Sequence, residues 1–450
     1  MDRAVNKHRT ITLYHQYVAG ALINIVYVVI LLSGGTTFYN LQMPEGKYSN
    51  NAMNGTDVMT YVVPAGNFLT YGVFGKGTVP DYHRTIGYPM FLAFFMKVFG
   101  EGWLYGVAFA QALLFATIYP VLFIINRELL GGTDKVFYQS AVFLVATGCF
   151  IVTTPIVLTD MFFSTIFSIG LCLGVMAIIR QRLIYLILHV AFMGYAAEVR
   201  PTLALYPVLN AAVLIIVARK AGLLTKSHKI RSWIAASTIA LLILCNGPAI
   251  RNYINHGFFE STDIVAINLY DCLMVEVLFL EDKVDVYHAA NREIAQISDV
   301  EEQIKRKKAI AFEVFLRYPF TTIGKIVIHA QTILLRIPWR ETAALAGVDL
   351  SPAAYEKLSP KQTVAIGAFG MATTLLYTFF YILFVSFIVR ALRGGQVLFG
   401  LTLAAITVYF LFPPFIAGGG FRMTLPVIGI IALCAFNELG RYLSPSSSSS

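Results

Sequence analysis

Charge is what this sequence has least of. Only 13% of its 450 residues are Asp, Glu, Lys or Arg, against about 25% in an ordinary soluble chain, which excludes a water-soluble globular protein. The five cysteines, Cys149, Cys172, Cys245, Cys272 and Cys434, lie mostly inside apolar segments and show no ligand-like spacing. A disulfide framework or a zinc site is therefore not expected. His83 and His329 stand alone, without a metal-ligand companion, and interfacial hydrogen bonding is their ordinary role. No Walker loop or dinucleotide fingerprint is present, which leaves an ATP-driven pump without support. No internal repeat is visible.

What remains is apolar. Hydrophobic residues make up 57% of the chain and the mean hydropathy is +0.68, which makes it an all-α polytopic membrane protein. Apolar runs long enough to span number about ten: 12–33, 103–126, 136–156, 158–179, 183–199, 202–218, 232–250, 364–389, 396–416 and 421–439. The first run follows a basic start and is expected to stay as a span rather than be cleaved.

With the N-terminus inside, the short inner connectors hold fifteen Lys and Arg residues, while the outer ones hold six: Lys47, Lys76, Arg84, Lys97, Arg200 and Arg422. That bias sets the orientation. The net charge of +9 is thus largely a topology signal and not a nucleic-acid surface.

Residues 1–444 read as one integral membrane domain, followed by a low-complexity tail at 445–450. Two outer regions are too large to be connectors. Loop one, 34–102, ends in the apolar run 87–99, which is too short to span comfortably and contains Lys97; it is expected to lie at the interface or re-enter. The second region, 251–363, carries a charged helical stretch over 289–315, including Lys305-Arg306-Lys307-Lys308. An apolar interfacial helix is expected to follow over 319–337. Both regions belong to the extracytoplasmic face.

Loop one also carries the candidate chemistry. Asp57 is a carboxylate that can take a proton from a hydroxyl, although an aspartate there also suits a solvated loop or the N-cap of a helix running through Tyr61. Arg84, Arg200, Arg251 and Arg422 oppose the topology bias, and each lies at the outer end of a span or interfacial helix. Four guanidinium groups converging on one site would bind phosphate through paired charge-assisted hydrogen bonds. Taken singly, each would snorkel to lipid headgroups. Asp160 opens the fourth span, where the helix dipole favours an acid and where an ionisable group needs a partner. Glu198, two residues before Arg200, is a candidate for local pairing with it.

Read in order, these residues resemble a known family. Asp57-x-x-x-Tyr61, Gly72, Phe74 and Arg84-x-x-Gly87-Tyr88-Pro89-x-Phe91-Leu92 are similar to the first outer loop of GT-C fold glycosyltransferases. In particular they are similar to bacterial relatives of the protein O-mannosyltransferases and lipid A aminoarabinose transferases. Leu158-Thr159-Asp160-x-x-Phe163, Arg200-Pro201, Pro248-x-x-Arg251-Asn252-Tyr253-x-x-x-Gly257-x-Phe259 and Arg422-x-x-x-Pro426 continue the likeness along nearly the whole chain. Val58 follows Asp57 where many relatives carry Asp-Glu, and Asp160 stands where others have Glu; both bear on subfamily.

The resemblance implies a GT-C-like membrane enzyme in the bacterial inner membrane, with its site on the extracytoplasmic face. It would move a hexosyl or pentosyl group from a polyprenyl monophosphate to a hydroxyl on a glycan, lipid or protein acceptor. Asp57 would be the general base and the sugar configuration would invert. Arg84 and Arg251 would hold the donor phosphate, with Tyr61, Tyr82 and Tyr88 as hydrogen-bonding or stacking partners. Asp160, Arg200, Arg422 and His83 are secondary candidates. No cofactor is called for, and a divalent metal stays compatible with the reading. Two other functions remain open. An O-antigen polymerase or ligase would use lipid diphosphates and a late principal loop. A lipid-linked sugar flippase or anion transporter would place its polar groups near the midplane.

Overall fold

The computed structural model describes residues 2–33, 55–151, 154, 157–335, 359–417 and 424–443, and almost all of them are helical. Among the described residues, seven helical stretches are long and apolar enough to cross a membrane: Thr12–Ile30, Gly87–Leu130, Thr159–Arg180, His228–His256, Met371–Arg393, Val397–Ile416 and Leu425–Leu443. The chain is an all-α integral membrane protein.

The bundle runs in this order. α1 is Asp2–Ser33 and α2 is Gly55–Tyr71. A short β-hairpin pairs β1 (Gly75–Lys76) antiparallel with β2 (Val79–Pro80). α3 (Gly87–Phe99), α4 (Trp103–Ala116) and α5 (Ile118–Ile124) follow, then α6 (Asp134–Ala146) and α7 (Thr159–Arg180). α8 is Leu183–Val199, α9 Tyr206–Lys220, α10 His228–Cys245 and α11 Gly247–His256. The second outer region contributes α12 (Ile264–Ile267), α13 (Val275–Leu280), α14 (Val284–Ile294), α15 (Val300–Arg317) and α16 (Pro319–Leu335). α17 (Pro360–Arg393), α18 (Val397–Ala417) and α19 (Leu425–Leu443) return through the bundle.

Three of the ten expected spans form shorter helices. α6, α8 and α9 have 13, 17 and 15 residues, or about 20–26 Å at 1.5 Å per residue, against a hydrocarbon core of about 30 Å. α6 stops early because Gly148 takes a left-handed φ of 73°, which lets the Cys149 N–H turn back to the Leu144 carbonyl at 3.1 Å.

α3 turns back at residues 100–102 and pairs antiparallel with α4. Tyr88 meets Gln111, and Gly106 lies against Phe95 and Phe99. The 44-residue stretch Gly87–Leu130 is therefore a hairpin followed by a span.

Polar groups point into the bundle, and large apolar side chains point outward on α1, α10, α17 and α18 (Leu22, Val26, Ile30, Ile239, Ile243, Leu375, Ile382, Val385, Val408). Inside, His189 Nδ1 donates to the Gly170 carbonyl at 2.7 Å, and its Nε2 accepts from the Asn210 amide at 3.1 Å. An apolar exterior around a polar interior is the arrangement a lipid solvent selects. The main core joins α2–α10 with α17–α19. A second core lies in the outer region, between the π-helical turn Asn268–Met274 and α13–α15. There the basic run is neutralised by acids: Lys305 pairs with Glu301, Arg306 with Glu293, Lys307 with Asp271 and Lys308 with Glu260.

Candidate active site

Helix termini build the site. The N-terminus of α7 supplies Thr159 and Asp160, the C-terminus of α8 supplies Glu198 and Arg200, and α11 supplies Arg251 and Asn252. The loop before α3 brings Tyr82, His83 and Arg84 to them. Gly87 makes the approach possible: a Cβ there would stand 2.5 Å from the Glu198 carbonyl oxygen and 2.8 Å from Val199 N. Across this contact Thr85 Oγ1 donates to the Val199 carbonyl at 3.0 Å, and Tyr195 Oη to the Gly87 carbonyl at 3.0 Å. The Ile86 N–H donates to the Glu198 carboxylate.

Arg84 lies across the Tyr61 ring, its guanidinium carbon 4.8 Å from the centroid, and its Nε donates to Thr60 Oγ1 at 2.9 Å. Thr60 is one helical turn past Asp57 on α2. Asp57 belongs to the first turn of α2, and its side chain falls outside the described residues. Tyr61 Oη meets Thr159 Oγ1 at 3.3 Å, joining the Arg84 loop to the mouth of α7. Beneath it Tyr88 is fully buried and packs edge-on to Tyr61, 5.5 Å between centroids. Its hydroxyl donates to Gln111 Oε1 at 2.8 Å, and Gln111 Nε2 donates to the Thr154 carbonyl at 2.7 Å. Tyr88 is thus the floor under Tyr61 and faces no open cleft, so it is not placed to stack on a sugar.

The acids pair across the fold rather than locally. Arg200 Nη1 donates to Asp160 Oδ1 at 2.8 Å, while Glu198 Oε2 faces Arg251 Nη1 at 3.8 Å. The expected Glu198–Arg200 pairing does not form, for a local reason. Pro201 disfavours a helical residue before it, so α8 ends at Val199 and Arg200 is extended (φ −142°, ψ 127°). Successive side chains in extended backbone point apart, and Arg200 swings to α7. Arg251 Nη2 also approaches the Arg84 carbonyl at 3.4 Å and Asn252 Oδ1 at 3.2 Å. Arg251 Nη1 and Glu198 Oε2 are buried and have no hydrogen-bond partner within the protein, a condition that marks a place for a ligand or solvent.

Tyr82 and His83 dock residues 256–263 onto the loop before α3. His83 Nδ1 lies 2.8 Å from Asp263 Oδ1, its N–H donates to Asp81 at 2.9 Å, and its carbonyl accepts from Thr262 Oγ1 at 2.7 Å. Tyr82 sits edge-on to His256 and Phe258. Burial, with Asp263 and Asp81 close by, raises its phenol above the ordinary value, so it stays a donor at neutral pH. A cleft of about 470 Å³ opens here, lined by Thr60, Pro64, Lys76, Asp81, His83 and Asp263 among others.

Arg84, Arg200, Arg251, Asp160 and Tyr61 are therefore brought together at one end of the bundle, with Tyr82 and His83 at its margin. Arg422 lies outside the described residues. Among the described residues no group of three or more His, Cys, Asp or Glu gathers as metal ligands. Thr159 entered only within the motif around Asp160, and Thr60, Gln111 and Asp263 carried no sequence signal. Glu198 did, as a lone acid in an apolar run, and only its partner was misread.

No protein-family model matches the chain, and no curated protein does. Among solved structures, ArnT from Cupriavidus metallidurans bound to undecaprenyl phosphate is similar, at 16% identity and a TM-score of 0.34, over 93% of this chain and 77% of that one. A likeness at that score carries neither the fold nor the site, both of which rest on this chain's own geometry.

Proposed function

We propose that this chain is a GT-C-like membrane glycosyltransferase. It transfers a sugar from a polyprenyl monophosphate to an acceptor hydroxyl on the extracytoplasmic face of a bacterial inner membrane. The observation that carries the reading is the placement of Arg84. It reaches from the loop before α3 to Thr60, one turn from Asp57, and its backbone is held by Arg251 from α11. This placement supports reading a base and two guanidinium groups, from three separate segments, as one site.

The chemistry follows from that placement. Asp57 accepts the proton of the acceptor hydroxyl. The oxygen attacks the anomeric carbon, the carbon–oxygen bond to phosphate breaks, and the lipid phosphate leaves with the electron pair, inverting the configuration. Arg84 and Arg251, whose Nη1 makes no hydrogen bond within the protein, stabilise the charge that develops on the leaving oxygen. Glu198 and Asn252 hold Arg251 in place, as Asp160 holds Arg200. Tyr61 backs the Arg84 guanidinium through its ring face. The ionisable groups of this site gather at one end of the bundle rather than at its midplane, which speaks against a transporter.

The test is transfer by the purified chain from a polyprenyl-phosphate sugar. Asp57→Asn should lower turnover by about 10²–10⁴-fold with donor binding retained. Arg84→Lys should lower it too, because lysine keeps the charge and loses the planar fork. Normal turnover in both variants, or no transfer and no donor binding by the wild type, would overturn the proposal.

A further inference from the structure

The opposite end of the bundle carries a second polar cavity. α9 starts at Tyr206, near the candidate active site, and ends at Lys220, about 22 Å away along a 15-residue helix. There a cavity of about 230 Å³ opens among the ends of α9, α17 and α19 and the turn at Leu130 and Gly131. Lys220 is on its wall. The ammonium donates to the Leu129 carbonyl at 2.6 Å and stands 4.5 Å from the Phe399 ring. Among the described residues no carboxylate lies within ion-pairing distance of it.

Arg390 forms part of the same wall. Its Nε donates to Glu438 at 2.6 Å, and Glu438, fully buried, also accepts from Arg441 Nη1 at 3.3 Å. One carboxylate therefore serves two guanidinium groups, and Lys220 has none. Among Lys220, Arg390, Arg441 and Glu438 the positive charges outnumber the negative by two, beside a cavity also lined by the amides of Gln396 and Asn437.

We infer that this cavity binds a phosphate group. A lysine point charge beside an arginine fork suits phosphate oxygens, the amides add neutral donors, and the low-dielectric flank strengthens the attraction. Phosphate chemistry at a basic pocket between helix ends has two sources, an anionic lipid headgroup or free phosphate. The site is independent of the transferase proposal, being built from different residues at the other end of the bundle.

The test is calorimetric titration of the full-length chain in detergent with dioctanoyl phosphatidic acid, inorganic phosphate and dioctanoyl phosphatidylcholine. Saturable binding of phosphatidic acid, of phosphate or of both is expected, with phosphatidylcholine weaker. Tighter binding of phosphatidic acid assigns the site to a lipid headgroup, and equal binding assigns it to the free anion. Lys220→Gln should weaken binding roughly tenfold, the loss of about one charge-assisted hydrogen bond, whereas Lys220→Arg should stay close to wild type. Gln396→Glu, at an exposed position that folding tolerates, should weaken binding by like-charge repulsion. The inference is overturned if the wild type shows no saturable binding, if phosphatidylcholine binds as tightly as phosphatidic acid, or if folded Lys220→Gln and Gln396→Glu both bind like wild type.

Discussion

The Arg200–Asp160 pair invites a double-substitution cycle. Arg200→Gln takes from Asp160, whose side chain is 4% exposed, the donor it holds at 2.8 Å. Removing one partner of a buried pair costs up to about 3–5 kcal/mol, because the other charge is left under-compensated. Asp160→Asn leaves the positive member instead, and the Arg200 side chain is 22% exposed. A guanidinium on a long stem can reach water where a short carboxylate cannot, so this loss should be the smaller of the two. The double variant removes both charges together. Its loss should fall short of the sum of the single losses by a coupling on the order of 1–3 kcal/mol. Thermal unfolding of the four proteins in one detergent reads the order: wild type highest, Asp160→Asn next, Arg200→Gln clearly lower, and the double variant better than additive. Additivity within about 0.5 kcal/mol, or a milder effect from Arg200→Gln than from Asp160→Asn, would refute the reasoning.

Other perturbations probe neighbouring parts of the fold. Gly87→Ala should destabilise the chain by about 1–3 kcal/mol and depress transfer, because its Cβ would drive α3 off the end of α8. Gly66→Ala, inside α2 with nothing within 4 Å of the added Cβ, should be neutral or stabilising by up to about 1 kcal/mol; equal effects at both positions would discredit the close contact. Burial pushes the Glu276 carboxyl up, but hydrogen bonds from His329 and Lys325 outweigh it and hold the group below its ordinary value. Its stabilising contribution is then full above the unfolded carboxylate value of about 4.3 and is lost as pH falls through the folded value. Glu276→Gln should accordingly flatten the acid limb of a stability profile, and an unchanged limb would count against the cluster. Cysteines placed at Lys76 and Lys226 should be labelled from opposite sides of the membrane, and labelling from one side would overturn the topology.

Much of the architecture follows from the sequence because it depends on local quantities. Scarce charge, long apolar runs and the distribution of Lys and Arg require a helical membrane protein, since a chain in lipid must satisfy its backbone internally. The length of the run 87–99 and its Lys97 predict a helix that does not span, and α3 folds back on α4. Opposition to the charge bias singled out Arg84, Arg200 and Arg251, and all three stand at one end of the bundle. Partner choice belongs to the tertiary structure. Arg200 faces Asp160 because Pro201 ends α8 and turns its side chain away from Glu198, and Glu198 faces Arg251 because α8 packs beside α11. Tyr88 looks from its motif like a ligand residue, yet the α3–α4 hairpin buries it on Gln111. The lengths of α6, α8 and α9 likewise depend on turns and packing that an apolar run does not record. Periodicity and composition act through each residue's own preference for lipid or water, whereas pairing depends on which helix ends meet.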